Sequence, residues 1–149
     1  MRAKLPVSVL VVIHTAALEV LLLERASWPG YWQSVTGSLD KLDEPLEVAA
    51  RRELREETGI DAAGAQLVRW HVANAFEIYA QWRHRFARGA THNTEHVFGL
   101  RLQGRVAVTL APLEHRAQLW LPWRQAAEKC FSWSNRDAIR MLPARSAAA

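Results

Sequence analysis

A mixed α+β sandwich is the fold class this sequence predicts, on three observations. Two β-branched apolar runs, Val7 to Ile13 and Val20 to Leu23, open the chain. One long amphipathic segment with helical spacing follows, over about Pro45 to Thr58. Further strand-like segments and then C-terminal helical segments complete it, an order without the regular alternation of a doubly wound parallel sheet.

Each element has a local reason. The polar break His14-Thr15 separates the first two runs, so they read as a hairpin or as neighbouring strands. Trp28, Pro29 and Gly30 mark a turn, and Gln33 to Thr36 leads into the polar loop Gly37 to Asp43. Pro45 sits where a first helical residue tolerates it, and Gly59 stands as the C-terminal stop. Gln66 to Val72, Phe76 to Phe86 and Thr94 to Leu102 read as strands; in the middle one Phe76, Ile78, Ala80 and Trp82 alternate with polar partners. Val106 to Leu110 and Leu119 to Leu121 make two short strands, and Trp123 to Lys129 is helical. Ser134, three residues before Asp137, forms a capping-box pattern for a last helix that ends at about Leu142, before Pro143. The tail Ser146 to Ala149 is expected to fray.

At 149 residues the chain has the length of one domain, and 1–149 is read as such. Half the residues are apolar and 23% charged, a globular balance. The lone Cys130 builds neither an intramolecular disulfide nor a thiolate zinc site, so a cytoplasmic location is expected. Arg2 and Lys4 before the first apolar run mimic a signal peptide, but there is no Ala-x-Ala site. The run is also far short of the ~18 residues of a membrane span, so no membrane association is expected. A net charge of +4 and a pI near 9.8 suit an anionic partner without naming one. The tract Arg83-His84-Arg85 would suit phosphate, RNA or plain solvent.

Against this basic background, Gly37 to Ile60 carries seven of the 15 acidic residues. Glu53 and Glu57 share a helix face, with Glu56 a turn from Glu53. Each like-charge pair costs roughly 0.2–0.5 kcal/mol, and the macrodipole at the helix C-terminal end disfavours anions further. An ordinary solvated face is one reading, since Glu47 with Arg51 and Arg52 with Glu56 form favourable pairs. Glu53 and Glu57, however, lack basic residues at i+4 and flank the apolar stripe Leu46, Ala49, Ala50, Leu54. Such a cluster beside a docked face is natural if a hard divalent cation neutralises it: Mg²⁺, with Mn²⁺ possible, rather than zinc, for which the histidines show no HExxH spacing.

From Glu44 onward, Glu44, seven residues, then Arg52-Glu53-Leu54-Arg55-Glu56-Glu57-Thr58-Gly59-Ile60 resembles the Nudix box. Six residues separate Gly37 from Glu44, one more than the pattern specifies between this glutamate and a glycine whose carbonyl is often a metal ligand. Resemblance to the Nudix hydrolases implies an α/β/α sandwich around a mixed sheet and hydrolysis of a nucleoside diphosphate linked to another group. By position it implies that Glu53 and Glu57 bind metal, Glu56 binds metal or orients water, Arg52 holds the glutamates and Glu44 supports the loop.

Tyr31 to Ser38, Phe76 to His96, Glu114-His115 and Ser132 to Ile139 are similar to the branch of that family that converts 7,8-dihydroneopterin triphosphate to the monophosphate in folate biosynthesis and also accepts some nucleoside triphosphates. This likeness implies Glu114 as a further metal ligand. It implies substrate contacts at Lys4, Arg25, Thr36, Phe76, Glu77, Ile78, Tyr79 and Ser132. Lys4 and Arg25 suit a triphosphate's roughly four negative charges, and Phe76, Tyr79 and nearby tryptophans suit a flat ring. Trp32 and Trp133 lie within these segments. Small-molecule pterin or nucleoside triphosphates are therefore the expected partners. A general (d)NTP pyrophosphatase is the alternative enzyme. A nucleic-acid-binding module on the same fold is a third reading, for which no RRM or KH signature and no long basic run is present.

Overall fold

The computed structural model describes residues 3–63 and 66–147. The strands are β1 (Val7–Thr15), β2 (Glu19–Arg25), β3 (Trp32–Gln33), β4 (Val35–Ser38), β5 (Leu67–Glu77), β6 (His92–Leu102) and β7 (His115–Pro122). They form one mixed sheet in the order β3-β2-β1-β6-β5, with β4 added to β1 and β7 to β2. β1 and β6 run parallel over their whole length, Val7 against Thr94 through Thr15 against Leu102, and the other pairings are antiparallel.

β1 reads as a continuous apolar run because both its faces are covered. Val9, Val11 and Ile13 join Leu21, Leu23, Phe98 and Leu100 on one side, where α1 (Leu46–Thr58) docks through Ala49, Ala50 and Leu54. Leu10 and Val12 join Val20, Leu22 and Val97 on the other. There α2 (Trp123–Lys129), α3 (Trp133–Arg140) and α4 (Leu142–Ala147) supply Ala126, Ala127, Ala138, Ile139 and Leu142. This is the expected α/β/α sandwich. Burying a Leu54-sized side chain contributes roughly 1.5–3 kcal/mol, several times the repulsion between neighbouring glutamates. Docking therefore wins over the like charges on α1.

α1 starts one residue after Pro45, whose carbonyl accepts from Ala49 N–H at 3.1 Å, and stops at Gly59 (φ 76°), whose N–H donates to Arg55 O at 3.0 Å. Only glycine takes that left-handed position without a steric penalty. β1 touches β2 in register only at His14 and Val20; nearer its start it pairs with β4 instead, at Ser8 through Val11. This divergence opens a cleft among the ends of β1, β2, β3 and β4 and the start of β6.

Four expectations change. The strand predicted over Phe76 to Phe86 ends at Glu77, as the continuation of β5 past a bulge at His71 (φ 56°). Beyond it Ala80–Arg85 coils into a 3-10 turn, with Trp82 N–H donating to Tyr79 O at 2.9 Å. The apolar alternation there reflects packing into an aromatic cluster rather than onto the sheet. Val106 to Leu110 is no strand: the Gln118 amide pairs with both backbone groups of Val108 at 2.8 Å and stands in for a ladder neighbour. The helix that starts here, α3, is capped by Ser132, which accepts from Asn135 N–H at 3.3 Å, while Ser134 is buried within its first turn. Finally, Pro143 does not end the helical region but sits in the first turn of α4, where its missing N–H costs no bond. Ser146 and Ala147 are helical; Ala148, Ala149 and Arg2 lie outside the described residues.

Candidate active site

Glu53 and Glu57 project from the docked face of α1, 8% and 1% exposed. Arg52 organises the carboxylates around them. Its guanidinium meets Glu53 Oε1 at 2.7 Å, both oxygens of Glu44 at 3.0 and 3.1 Å, Asp40 at 3.1 Å, the Ser38 carbonyl at 3.2 Å and Glu56 at 3.6 Å. This holds the Glu44 carboxyl below the usual range, and Glu44 in turn accepts from Asp40 N–H at 2.8 Å, closing the loop before α1. Of the two pairs that the solvated-face reading names, Arg52 with Glu56 is formed, whereas Arg51 and Glu47 turn to other partners. Arg51 donates to Ala62 O at 2.6 Å, and Glu47 lies 4.0 Å from Arg69.

Gly37 on β4 packs so closely on the Glu53 carboxylate that a Cβ there would overlap it. The longer loop between Gly37 and Glu44 therefore still delivers the glycine to the acidic face.

Burial raises the pKa of Glu53 and, more strongly, that of Glu57, where the neighbouring Glu53 and Glu114 add to the effect. Glu57 Oε1 has no hydrogen-bond partner among the described residues, and neither has His115 Nδ1, 3.8 Å away. Arg25 donates to Gln33 Oε1 at 3.2 Å, so the Gln33 amide nitrogen faces His115 Nε2 at 3.3 Å as a donor. That arrangement places the imidazole proton on Nδ1, toward Glu57. Burial and Arg25 push His115 down to about 4, so it is neutral at pH 7 and brings no charge to Glu57.

Ligand atoms of Glu57, Glu114 and His115 lie within 4.8 Å of one another. Two orphaned polar atoms, the uncompensated buried carboxylate of Glu57 and mainly oxygen donors fit a hard divalent cation. Glu57 and Glu114 would hold it, with Glu53 beside Glu57 on the same helix face and His115 Nδ1 facing Glu57 at 3.8 Å.

The cleft above this cluster has a volume of about 450 Å³. Lys4, Arg25, Thr36, Glu53, Glu56, Phe76, Ile78, Tyr79, Glu114 and Ser132 all line it, as the sequence suggests. Glu57 lies beneath it. The Glu77 side chain is not brought in: it turns outward and pairs with Arg83 at 2.6 Å. The Thr36 hydroxyl donates inward to Val9 O at 2.9 Å.

Several lining residues escaped the sequence reading. Of the Arg83-His84-Arg85 tract, Arg85 lines the cleft, and it lowers the pKa of Lys4 and Arg25 after burial does. Three cations thus converge at one end, a pattern expected where an anion binds. The cleft tryptophan is Trp82, beneath the Arg25 guanidinium at 4.6 Å and packed edge-on against Tyr79 and Phe131. Trp32 and Trp133 do not line it: Trp32 lies under Lys129 at 5.3 Å, and Trp133 is 43% exposed.

The fold and this acidic helix face are those of a Nudix enzyme, and the chain belongs to that family: the model of the NUDIX domain matches residues 4–142. Among curated proteins it is similar to the dihydroneopterin triphosphate diphosphatase of Escherichia coli, 42% identical over 93% of each chain. The enzyme of that name from Haemophilus influenzae is 35% identical over 89% of this chain and 84% of its own. The solved structure of the E. coli dihydroneopterin triphosphate pyrophosphohydrolase superposes with a TM-score of 0.88, covering 95% of this chain and 97% of that one. No helix among the described residues is long and apolar enough to cross a membrane.

Proposed function

We propose that the chain hydrolyses 7,8-dihydroneopterin triphosphate to dihydroneopterin monophosphate and pyrophosphate, a step of folate biosynthesis, in the cytoplasm and with Mg²⁺ as the ion (Mn²⁺ as a substitute). The observation that carries this reading is one cleft with three chemistries: converging Lys4, Arg25 and Arg85, the carboxylates of α1 with Glu114, and an aromatic wall of Phe76, Tyr79, Trp82 and Phe131. The named relatives, aligned over nearly the whole chain, support the choice of substrate.

The cations offset the triphosphate charge and set its direction along the cleft. The aromatic wall takes the flat ring. Bound Mg²⁺ would polarise a phosphoryl oxygen and acidify the attacking water. Arg52 keeps Glu53 and Glu44 from drifting, and Glu56, exposed at the cleft edge, orients that water. Its oxygen bonds to phosphorus, the bridging P–O bond between the α and β phosphates breaks, and the water's proton passes to a carboxylate of the cluster. Phosphorus NMR of the products tests the bond choice: monophosphate with pyrophosphate is expected, and dihydroneopterin diphosphate with orthophosphate would contradict it.

Two further results follow from the geometry. Gly37→Ala pushes Glu53 out of place and should lower kcat/KM by about 100-fold, the scale of an ångström-sized misplacement; unchanged kinetics would mean that Glu53 need not sit there. Metal also couples to pH. Glu53 and Glu57 titrate above their ordinary 4.5, so the metal-free folded protein retains protons that the unfolded chain releases. That stability is complete below 4.5 and is lost as pH rises through the raised values. The buried histidines, lowered from 6.5, oppose this only below that pH. As the pH rises above 4.5 these carboxyls should therefore lower the Tm in chelator, unopposed by the histidines once the pH exceeds 6.5. Mg²⁺ at about 100 times its Kd should restore roughly 5–10 °C at pH 8. A Tm indifferent to Mg²⁺ would contradict the cation site.

A further inference from the structure

Where β6 lines the cleft, another carboxyl has no role in the chemistry above. Glu95, on β6, is 5% exposed yet lines the cleft, and its Oε1 has no partner among the described residues. The Ser134 hydroxyl reaches its carboxyl from α3. Its cross-strand neighbours are Ser8 on β1 and Asn74 on β5, neither of them charged. Two residues along the same strand face, Asn93 donates to Ser8 Oγ at 2.8 Å and leaves Oδ1 without a partner. Asn135 is tied to Ser34, accepting from its N–H at 2.8 Å and donating to its Oγ at 3.0 Å. This part of the cleft therefore shows acceptors in want of donors, next to the aromatic wall.

A buried carboxylate with no cation beside it is costly unless something donates to it. Among the described residues Oε1 has no donor and no charged side chain shifts Glu95; burial pushes the carboxyl up to about 7, against the Ser134 bond. A planar ring carrying two adjacent N–H groups supplies what is lacking. A 2-amino-4-oxo ring, as in pterin and guanine, has such an edge in its ring N–H and exocyclic amino group. Adenine, with one ring acceptor beside its amino group, does not.

We propose that Glu95 selects the ring of the substrate by accepting both N–H donors of a 2-amino-4-oxo heterocycle, with Asn93 Oδ1 taking the amino group's second hydrogen. This rests on the reading that a pterin triphosphate occupies the cleft, and it adds which group recognises the pterin. The residue binds substrate and takes no part in bond breaking, so its removal should raise KM more than it lowers kcat.

The test is a cycle of one variant against three triphosphates: dihydroneopterin triphosphate, dGTP and dITP, the last lacking only the 2-amino group. Wild-type enzyme should favour dGTP over dITP by at least about tenfold. In Glu95→Gln that ratio should collapse toward unity, while kcat/KM for the pterin falls about 100-fold, chiefly through KM, and dITP changes less than threefold. Equal losses on all three substrates would mark Glu95 as structural and overturn the proposal. A wild-type dGTP to dITP ratio near unity would overturn it without any variant, even if Glu95→Gln fails to fold. Failure of the pterin to outrun dGTP in the wild type would instead remove the folate reading, and the dGTP to dITP cycle would still decide the role of Glu95.

Discussion

Glu57→Gln should cut turnover by about three orders of magnitude, some 4 kcal/mol of transition-state stabilisation, while leaving the metal-free Tm unchanged or raised. The two effects separate because Glu57 opposes folding. It is 1% exposed, its Oε1 and the facing His115 Nδ1 have no hydrogen-bond partner among the described residues, and Glu53 and Glu114 both repel its charge. A neutral amide of the same shape relieves this repulsion. The same amide lacks the charge that holds a divalent cation. Chelator should therefore lower the Tm of the wild type at pH 8 but leave that of the variant unmoved. A variant with full activity would remove Glu57 from the mechanism. A variant that lost activity together with several degrees of Tm would show that the carboxylate stabilises the fold.

Arg52→Ala should lower both activity and stability, the reverse pattern. Arg52 binds Glu44, 9% exposed, through two bonds and Glu53 through one, and also ties down the Ser38 carbonyl. Removing it leaves two largely buried carboxylates without their counter-charge. The cost to folding should be about 2 kcal/mol, between the values for exposed and buried pairs, and the loss of turnover about 100-fold as Glu53 loses its orientation. Denaturant melts and kinetics on one preparation check both. Because Glu44 titrates below 4.5 in the folded state, the stability Arg52 confers is present above that pH and fades below it. The wild type and Arg52→Ala should accordingly converge in stability as the pH drops toward 3. A constant gap would place the effect in packing of the arginine stem instead.

What the sequence disclosed and what it hid divide along the distance over which each feature is encoded. The acidic face of α1 was legible because a helix brings residues four apart together whatever surrounds it, so Glu53 and Glu57 could be paired from spacing alone. The apolar stripe beside them fixed which face docks. The two-sided burial of β1 was legible as an uninterrupted β-branched run. His115, Glu95 and Arg85 were not, because each reaches the cleft through a long-range contact: β7 pairing with β2, β6 lying parallel to β1, and the 3-10 turn bridging back to Lys4. A lone histidine after Glu114 carries no local signal for the relay through Gln33. Trp82 was hidden by a false period, since apolar residues at every second position fit a strand as well as they fit a turn whose tryptophan packs edge-on against Tyr79 and Phe131. The Ser132 cap was displaced by a better-looking one two residues on, where burial rather than capping chemistry decided the outcome.

The central claim is a metal-dependent pyrophosphohydrolase whose cleft prefers a pterin triphosphate to the common deoxynucleotides. The most direct test is kcat/KM from released pyrophosphate with dihydroneopterin triphosphate and with each dNTP, in Mg²⁺ and in chelator. The account predicts a preference for the pterin of about 100-fold or more and no turnover in chelator. Equal or faster hydrolysis of a dNTP, or turnover that survives chelation, would contradict it.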